Sequence, residues 1–248
     1  MPPPTDLATQ LTSILLTRHS LLVSADWLHS FVSTVRAPAP PLVALTSTAQ
    51  FRLLNSDFTA VLASDSNPAS PILLPLDVGD PTVKERRLAG NVPVQVLDVE
   101  DVGASRWGQV ERIERVEAGE EVRGREVIRT LPPEATEGPA PAAPVASGAA
   151  SGKGPHKYLL QDARGTVVSA FEKVTVPKLG LGDEGMCIGI KVMLKSGTVV
   201  RRGVVMLRPE NVTVLGGKVE GWDDSWKAGR KDRLKRMVEE QAQQAQAG

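Results

Sequence analysis

The segment from Arg202 to Trp222, RGVVMLRPENVTVLGGKVEGW, constrains the fold more than any other part of the sequence. An apolar, strand-like run stops at Pro209, because proline lacks the amide hydrogen that a paired strand needs. A short second run then reaches two glycines, which tolerate the positive φ of a sharp exit. The pattern predicts two strands joined by a turn that Glu210 and Asn211 cap, followed by a C-terminal helix.

Other extended segments, bounded by turn residues, begin after Pro71. They are VPVQVLDV (Val92 to Val99), YLLQ (Tyr158 to Gln161), TVVSAFE (Thr166 to Glu172), MCIGIKVML (Met186 to Leu194), VVRRGVVML (Val199 to Leu207) and VTVL (Val212 to Leu215). The glycine-containing stretches DARG and KSGT between them have the length of hairpin loops. Five or six short strands connected in this way predict a small antiparallel barrel.

The first sixty residues have the period of helices instead. Apolar residues recur at helical spacing in two stretches: Trp27, Phe31 and Val35 in one, and Phe51, Leu54, Phe58 and Val61 in the other. Ser24 is placed to cap the first helix, and Ser47 with Gln50 has the spacing of a capping box for the second. A bundle this small is marginal alone, so we expect it to pack on the barrel.

These patterns divide the chain into a helical bundle over residues 1–70, a barrel over residues 71–220, and a C-terminal helix and tail over residues 221–248. A long insertion, at about residues 109–155, separates the first two barrel strands. Its second half, residues 132–155, holds 19 Pro, Ala, Gly and Ser residues in 24 positions, which is too polar and proline-rich to build a core. We expect that half to act as a tether.

Three apolar residues, Val127, Ile128 and Leu131, precede this tether in an otherwise charged stretch. Apolar side chains without a core of their own are expected to be covered by a partner. The sequence therefore predicts that these three residues are the contact half of the insertion.

Composition excludes several classes of function. Lys+Arg and Asp+Glu balance at 29 each, so no global field draws the chain to nucleic acid or to an anionic membrane. The single cysteine, Cys187, rules out a disulfide framework and a cysteine-rich zinc site. The three histidines lie far apart without ligand spacing, and no apolar run is long enough to span a membrane. We expect a soluble, intracellular protein that is not an enzyme and has no cofactor or metal.

Single-stranded nucleic acid is the alternative ligand, because small barrels often stack bases on aromatic side chains beside a basic groove. Three aromatic residues lie between Pro71 and Leu215: Trp107, Tyr158 and Phe171. A basic cluster of Arg201, Arg202 and Arg208 could contact phosphates, although a solvated charged face is the commoner meaning. An autonomous single-strand-binding protein therefore stays open at this point.

Three segments, DVEDVGASRWGQVE, LLQDARGTVVSAFE and above all RRGVVMLRPENVTVLGGKVE, resemble the RecQ-mediated genome instability protein family. The resemblance extends from about Leu21 to Glu220 and is closest to the short form typical of fungi. It implies an α+β fold, in which an N-terminal helical bundle precedes an OB-fold. That barrel would be five-stranded and antiparallel, with a long insertion between its first and second strands and a helix after it.

The resemblance also implies a function. Members of the family are non-catalytic partners of topoisomerase III, and with a RecQ-family helicase they promote decatenation and double Holliday junction dissolution. The insertion would modulate the topoisomerase gate. DNA would be contacted indirectly, through the complex, and the protein would be located in the nucleus. The charged turn of Arg208, Pro209, Glu210 and Asn211 is rigid and exposed, and the family pattern keeps a basic residue there, so we expect it to form part of the topoisomerase interface.

Overall fold

The structure is a computed structural model that describes residues 4–36, 40–64, 70–119, 154–181 and 186–246. Its helices are α1 (Pro4–His19), α2 (Ala25–Ser33), α3 (Leu42–Leu54), α4 (Phe58–Val61), α5 (Arg106–Glu117) and α6 (Trp222–Gln246). Its strands are β1 (Arg86–Arg87), β2 (Val92–Asp101), β3 (His156–Asp162), β4 (Val167–Glu172), β5 (Lys191–Leu194), β6 (Val199–Arg201), β7 (Val204–Leu207) and β8 (Val212–Gly216). The predicted α+β class is confirmed.

Helices α1–α4 form the predicted bundle around their own apolar core. The Ser24 hydroxyl accepts a hydrogen bond from the Trp27 N–H at 3.3 Å, so the predicted cap of α2 is confirmed. The capping box at Ser47 is wrong, because α3 begins at Leu42 and the Ser47 hydroxyl bonds within the helix to the Val43 carbonyl. Phe51, which the helical period assigned to the core, is 69% exposed.

The strands form one curved sheet in the order β1-β6-β7-β4-β3-β2-β5-β8. Neighbouring strands are antiparallel except β4 and β7, which are parallel, so the prediction of a wholly antiparallel five-stranded barrel is corrected in both strand number and pairing. Strand β2 is shared between β3 and β5 and carries a bulge between Val96 and Asp98. A second apolar cluster, which includes Val94, Leu160 and Val205, fills the inner side of the sheet.

The predicted strand Val199 to Leu207 is two strands joined by a tight turn. Arg202 has φ +47° and Gly203 has φ +78°, the left-handed pair that a two-residue hairpin requires. A β-carbon at Gly203 would lie 2.4 Å from the Gly79 carbonyl oxygen, so this position also needs glycine for the close approach of the backbone. The long strand predicted from Met186 is shorter as well, and its paired part begins only at Lys191.

A helix absent from the sequence prediction, α5, occupies the beginning of the segment assigned to the insertion. It packs beside α6, and ion pairs join the two: Lys231 lies 2.6 Å from Glu117, and Lys235 lies 2.8 Å from Glu114. The first residues of the segment assigned to the insertion, up to Glu117, are therefore helical. On the other side, the described chain resumes at residue 154.

Polar side chains join the bundle to the outer side of the barrel. The Gln95 side chain is fully buried; its oxygen accepts from the Phe58 N–H at 3.0 Å, and its nitrogen donates to the Asp57 carboxylate at 2.7 Å. At the predicted glycine exit, Gly217 has φ +77°, and a β-carbon there would lie 2.1 Å from the Leu54 carbonyl oxygen. The bundle thus packs on the barrel, as expected.

Lys191 is buried at this junction. Its ammonium group donates to the Gly189 carbonyl at 2.6 Å and lies 5.0 Å from the centre of the Phe58 ring. Burial lowers the pKa of the Lys191 ammonium from 10.5 to about 8, although the Asp57 carboxylate opposes this shift. The unfolded chain therefore holds this proton more tightly than the folded chain does.

We expect the free energy of unfolding to rise with pH between about 8 and 10.5, because unfolding takes up a proton in that window. The contribution of this group over the whole window is on the order of 3 kcal/mol. Replacing Lys191 by Met removes it, so the stability of the variant relative to the parent chain should fall by that amount between pH 7 and pH 11. Urea unfolding of both proteins across the range measures this difference, and a difference independent of pH would contradict the prediction.

Candidate partner-binding site

One side of the sheet carries a cluster of apolar side chains that point away from the barrel core. We call this cluster the outer strand face; its members are Leu159 on β3, Val167 and Phe171 on β4, and Val204 and Met206 on β7. Leu159 is 36% exposed and Val167 is 42% exposed, and the other three are half-buried. Residues at the alternate positions of these strands enter the core, so the apolar members of the outer strand face are additional to those that fill the core.

The strand register brings these side chains together. Phe171 on the central strand is paired with Met206 on one side and with Lys157 on the other. In the next row, Ser169 is paired with Val204 and with Leu159. Because neighbouring strands lie about 4.8 Å apart, the face spans about 10 Å from β3 to β7.

The two long helices border this face along β2. The Trp226 indole N–H of α6 donates to the Asp98 carboxylate at 2.5 Å, and the Arg106 guanidinium of α5 lies 2.8 Å from Glu100. Arg230 and Arg233 each place a guanidinium 5.3 Å from the Trp226 ring centre. These contacts hold α5 and α6 against β2, so that the two helices border the outer strand face.

The predicted Pro-Glu-Asn turn lies at one end of the outer strand face. Asn211 holds it: its side-chain oxygen accepts from the Arg208 N–H at 2.9 Å, and its side-chain nitrogen donates to the Met206 carbonyl at 2.8 Å. The Lys195 ammonium donates to the Glu210 carbonyl at 2.9 Å. The predicted capping by Asn211 is therefore confirmed, while Glu210 takes part through its backbone.

This turn presents its charged side chains beside the apolar cluster. Arg208 and Glu210 are exposed, and Pro209 and Asn211 are partly buried. Because side chains alternate along β7 and its continuation, Arg208 follows Met206 on the outer side of the sheet. The Lys173 N–H donates to the Leu207 carbonyl at 3.0 Å, which places Lys173 next to Arg208. The end of the face is therefore basic.

The root of the insertion lies at the same end. The Val102 N–H donates to the Pro155 carbonyl at 3.0 Å, and His156, at the start of β3, is aligned with Glu172 at the end of β4. By strand spacing, Pro155 lies about 10 Å from the Arg208 turn. The predicted contact residues of the insertion, Val127, Ile128 and Leu131, lie outside the described residues.

The aromatic residues do not form a base-stacking platform on this face. Tyr158 is 1% exposed and points into the core, and burial raises the pKa of its hydroxyl. Trp107 is 57% exposed but belongs to α5, where its indole N–H donates to Glu111 at 2.9 Å. Of the aromatic residues in the described part of the barrel sheet, Phe171 alone faces outward. The surface on which the bases of a single-stranded nucleic acid would have to stack is therefore mainly aliphatic.

Among the described residues, no group of three or more His, Cys, Asp or Glu side chains is arranged to hold a metal ion. Within the same part of the chain, no helix has the length and apolar character needed to cross a lipid bilayer. One histidine contact does not follow from spacing along the chain: His156 is buried against Glu172, and its Nδ1 atom lies 2.7 Å from the Oε2 atom of Glu172. The DARG hairpin could have predicted this contact, because its strand register aligns His156 with Glu172.

These elements define a class: an OB-fold protein with a helical domain ahead of the barrel and an exposed apolar face on its strands. A family model described as "RMI1, N-terminal OB-fold domain" matches residues 74–230, and one described as "RMI1, N-terminal helical domain" matches residues 15–61. The chain belongs to the RMI1 family.

Among curated proteins, the chain is similar to RecQ-mediated genome instability protein 1 of Schizosaccharomyces pombe, with 27% identity over 161 residues. The matched region covers 62% of this chain and 64% of that relative. The chain thus spans a little under two thirds of the length of the curated relative that it matches.

Proposed function

We propose that this protein is a non-catalytic subunit of a complex between topoisomerase III and a RecQ-family helicase. It binds topoisomerase III through the outer strand face and modulates the topoisomerase gate through the insertion. In this role it promotes decatenation and double Holliday junction dissolution, supports genome stability, and acts in the nucleus. DNA is contacted indirectly, through the assembled complex.

The observation that carries this proposal is the coincidence of three features at one end of the sheet. The outer strand face offers exposed apolar side chains, the Arg208 turn offers a rigid charged rim, and the root of the insertion lies about 10 Å away by strand spacing. An apolar centre with a polar rim is the usual anatomy of a protein–protein interface. A partner seated on the face would therefore also meet the insertion.

The composition of the face supports a protein partner over nucleic acid. Binding of single strands relies on aromatic rings with cations along a groove, whereas this face offers Leu159, Val167, Val204 and Met206 around one ring. Fully burying one such side chain contributes roughly 1.5–3 kcal/mol before ordering costs. Because Leu159 is 36% exposed, Val167 is 42% exposed and the other three are half-buried, docking would contribute only part of that value for each side chain, and the charged rim would have to add to it.

The direct test uses the full chain and the purified topoisomerase III of the same organism. Calorimetry or biolayer interferometry should give saturable binding with little dependence on salt, and the chain should accelerate decatenation of catenated circles by that topoisomerase. A labelled single-stranded oligonucleotide serves as the competing ligand. Tight oligonucleotide binding with a steep salt slope, together with no topoisomerase binding, would replace this proposal by the autonomous nucleic-acid-binding function.

Replacing Arg208 by Ala should weaken topoisomerase binding by about three- to tenfold, because a rim charge contributes a modest part of an interface. Thermal stability should stay close to that of the parent chain, since the Asn211 contacts that hold the turn use backbone atoms of Arg208 and Met206. Arg18→Ala is the matched control: Arg18 is also exposed, but it belongs to the last turn of α1 in the bundle. Equal affinities for both variants, or unfolding of Arg208→Ala, would refute this role of Arg208.

A further inference from the structure

An open groove lies on the surface of the helical bundle, between the C-terminal end of α2 and helix α3. Its volume is about 400 Å³. Phe31 and Leu45, which are 4% and 5% exposed, form its floor. Along α3 the groove extends from Leu45 to Arg52, about 10 Å or two helical turns at 1.5 Å per residue. We call it the α2–α3 groove; its principal lining residues are Phe31, Val35, Arg36, Leu45, Thr48 and Arg52.

The floor of the groove is held in place around Phe31. The Trp27 ring stacks on the Phe31 ring, with ring centres 5.3 Å apart and planes inclined by 6°. The Arg52 guanidinium also lies against the Phe31 ring, with its central carbon 5.3 Å from the ring centre. Because a planar guanidinium stacks well on an aromatic ring, this contact gives Arg52 a defined position at the apolar floor.

Two arginine side chains at the groove carry hydrogen-bond donors that the bundle leaves available. A guanidinium has five N–H donors, and Arg52 uses one of them in a long hydrogen bond of 3.5 Å to the Thr34 hydroxyl. Arg36 is exposed, and within the described residues no ion pair joins either arginine to a carboxylate. The lining residues that the structure describes include no Asp or Glu. The groove therefore combines an apolar floor with uncompensated positive charge.

These properties define the chemistry of a ligand. A carboxylate accepts two parallel hydrogen bonds from one guanidinium, and such charged pairs are stronger than neutral hydrogen bonds. An apolar floor about two helical turns long accommodates the apolar side chains that a helix presents at i and i+4 when it lies along the groove. The groove thus fits an amphipathic helix that carries aliphatic side chains together with Asp or Glu.

A nucleic acid fits the same groove less well. A single strand is held by stacking of its bases on exposed rings and by a row of cations along its backbone. The Phe31 ring is buried, and the described lining residues supply two cations, Arg36 and Arg52. The composition of the groove therefore favours a segment of a protein.

We propose that the α2–α3 groove is a docking site for an acidic amphipathic helix of a partner protein, whose apolar side chains enter the groove and whose carboxylates pair with Arg36 and Arg52. The groove shares no residue with the outer strand face. It is therefore a second docking site, separate from the surface assigned to topoisomerase III. The inference goes beyond the proposed function and does not depend on it.

The test uses the full chain and a fluorescein-labelled peptide of about 14 residues, long enough for a helix to form on binding. The peptide has Leu at i, i+4 and i+7 and Glu at the positions that flank them, and the control peptide has Gln in place of every Glu. Fluorescence anisotropy should show saturable binding of the Glu peptide with a dissociation constant below about 100 μM. The Gln peptide should bind at least about tenfold more weakly, because it lacks the charged pairs with the arginines.

Thr48 offers a variant that blocks the groove while the bundle stays folded. It is exposed on α3, and its hydroxyl donates within the helix to the Ala44 carbonyl at 2.9 Å. In Thr48→Glu the new carboxylate is four residues before Arg52, a spacing at which the two side chains pair along a helix. The affinity for the Glu peptide should fall at least about tenfold, with thermal stability unchanged or slightly higher. Thr48→Gln adds a side chain of similar size without the charge and should keep the affinity within about threefold.

Thr17→Glu is the matched control. Thr17 is an exposed residue of α1 whose hydroxyl likewise donates to the carbonyl four residues earlier, that of Ser13. This variant adds the same charge to the bundle outside the groove and should leave the affinity unchanged. Arg36→Glu/Arg52→Glu completes the series: it should lose the Glu peptide and bind instead a peptide with Lys in place of every Glu. Thermal unfolding establishes that each variant folds.

The inference is overturned by a Glu peptide that shows no saturable binding, by equal affinities for the Glu and Gln peptides, or by an equal loss in Thr48→Glu and Thr17→Glu. A labelled oligothymidylate that binds the parent chain more tightly than the Glu peptide, and loses its affinity in Thr48→Glu, would show a phosphate site instead. Loss of topoisomerase III binding in Thr48→Glu would show that the groove is not a separate docking site. A parent chain that binds the Glu peptide but not topoisomerase III would refute the proposed function and support the groove assignment.

Discussion

Replacing Leu159 and Phe171 together by Asp should reduce the affinity for topoisomerase III by about 100-fold or more. Both side chains belong to the outer strand face, on the neighbouring strands β3 and β4. Two carboxylates there would have to be desolvated on binding, while the apolar contacts of the original side chains are lost. A loss of about 2.8 kcal/mol corresponds to 100-fold in the dissociation constant, which calorimetry resolves easily.

The chain offers a matched control for this double substitution. Val43 and Phe51 are likewise an aliphatic residue and a phenylalanine; they are 77% and 69% exposed, but they lie on α3 of the bundle. Val43→Asp/Phe51→Asp should leave the affinity unchanged. Circular dichroism and thermal unfolding establish that both double variants fold. Wild-type affinity in Leu159→Asp/Phe171→Asp, or an equal loss in the control, would exclude the outer strand face as the docking surface.

Features that depend on local chemistry could be predicted from the sequence. Pro209 ends β7 because of its missing amide hydrogen, Gly217 takes a positive φ at the exit from β8, and Ser24 caps α2. Each outcome is decided by the residue itself and its immediate neighbours. Such positions located the last strands of the barrel, the turn beside the outer strand face and the start of α2.

Features that depend on distant parts of the chain could not be predicted in this way. Helix α5, RWGQVERIERVE, has a glycine at position 108 and little apolar character, yet Val110 is fully buried in the folded chain. Ion pairs with Lys231 and Lys235 of α6, more than a hundred residues away, add to this packing. Gln95 points outward from β2 and would be assigned to solvent, yet the bundle covers it completely. Tertiary contacts overrode the local pattern in both cases.

The candidate site likewise contains one feature that local chemistry determines and others that depend on contacts between distant parts of the chain. The turn at Arg208 was recognisable because proline and asparagine have strong conformational effects of their own. The apolar cluster was not, because it consists of ordinary strand residues on β3, β4 and β7, and the parallel pairing of β4 with β7 is what unites them. Likewise, the burial of His156 against Glu172 depends on hairpin register rather than on spacing along the chain.

Replacing Val127, Ile128 and Leu131 together by Ser should remove most of the stimulation of decatenation while binding of topoisomerase III is largely retained. These residues lie outside the described part of the chain, and the expectation rests on their being an apolar group in a charged segment. Their full burial on a partner would contribute roughly 4–9 kcal/mol before ordering costs, enough to bias a gate by a few kcal/mol. Substitution by Asp should have a larger effect than Ser.

A deletion within residues 132–150 is the control, because a tether of Pro, Ala, Gly and Ser tolerates changes of length better than a contact segment tolerates loss of its apolar groups. Binding and decatenation are measured on the same preparations, so that the outer strand face and the insertion are tested as separate functions. If the triple substitution stimulates decatenation as well as the parent chain does, the insertion does not act through these residues. Loss of binding and stimulation together would instead show that the insertion belongs to the docking surface itself.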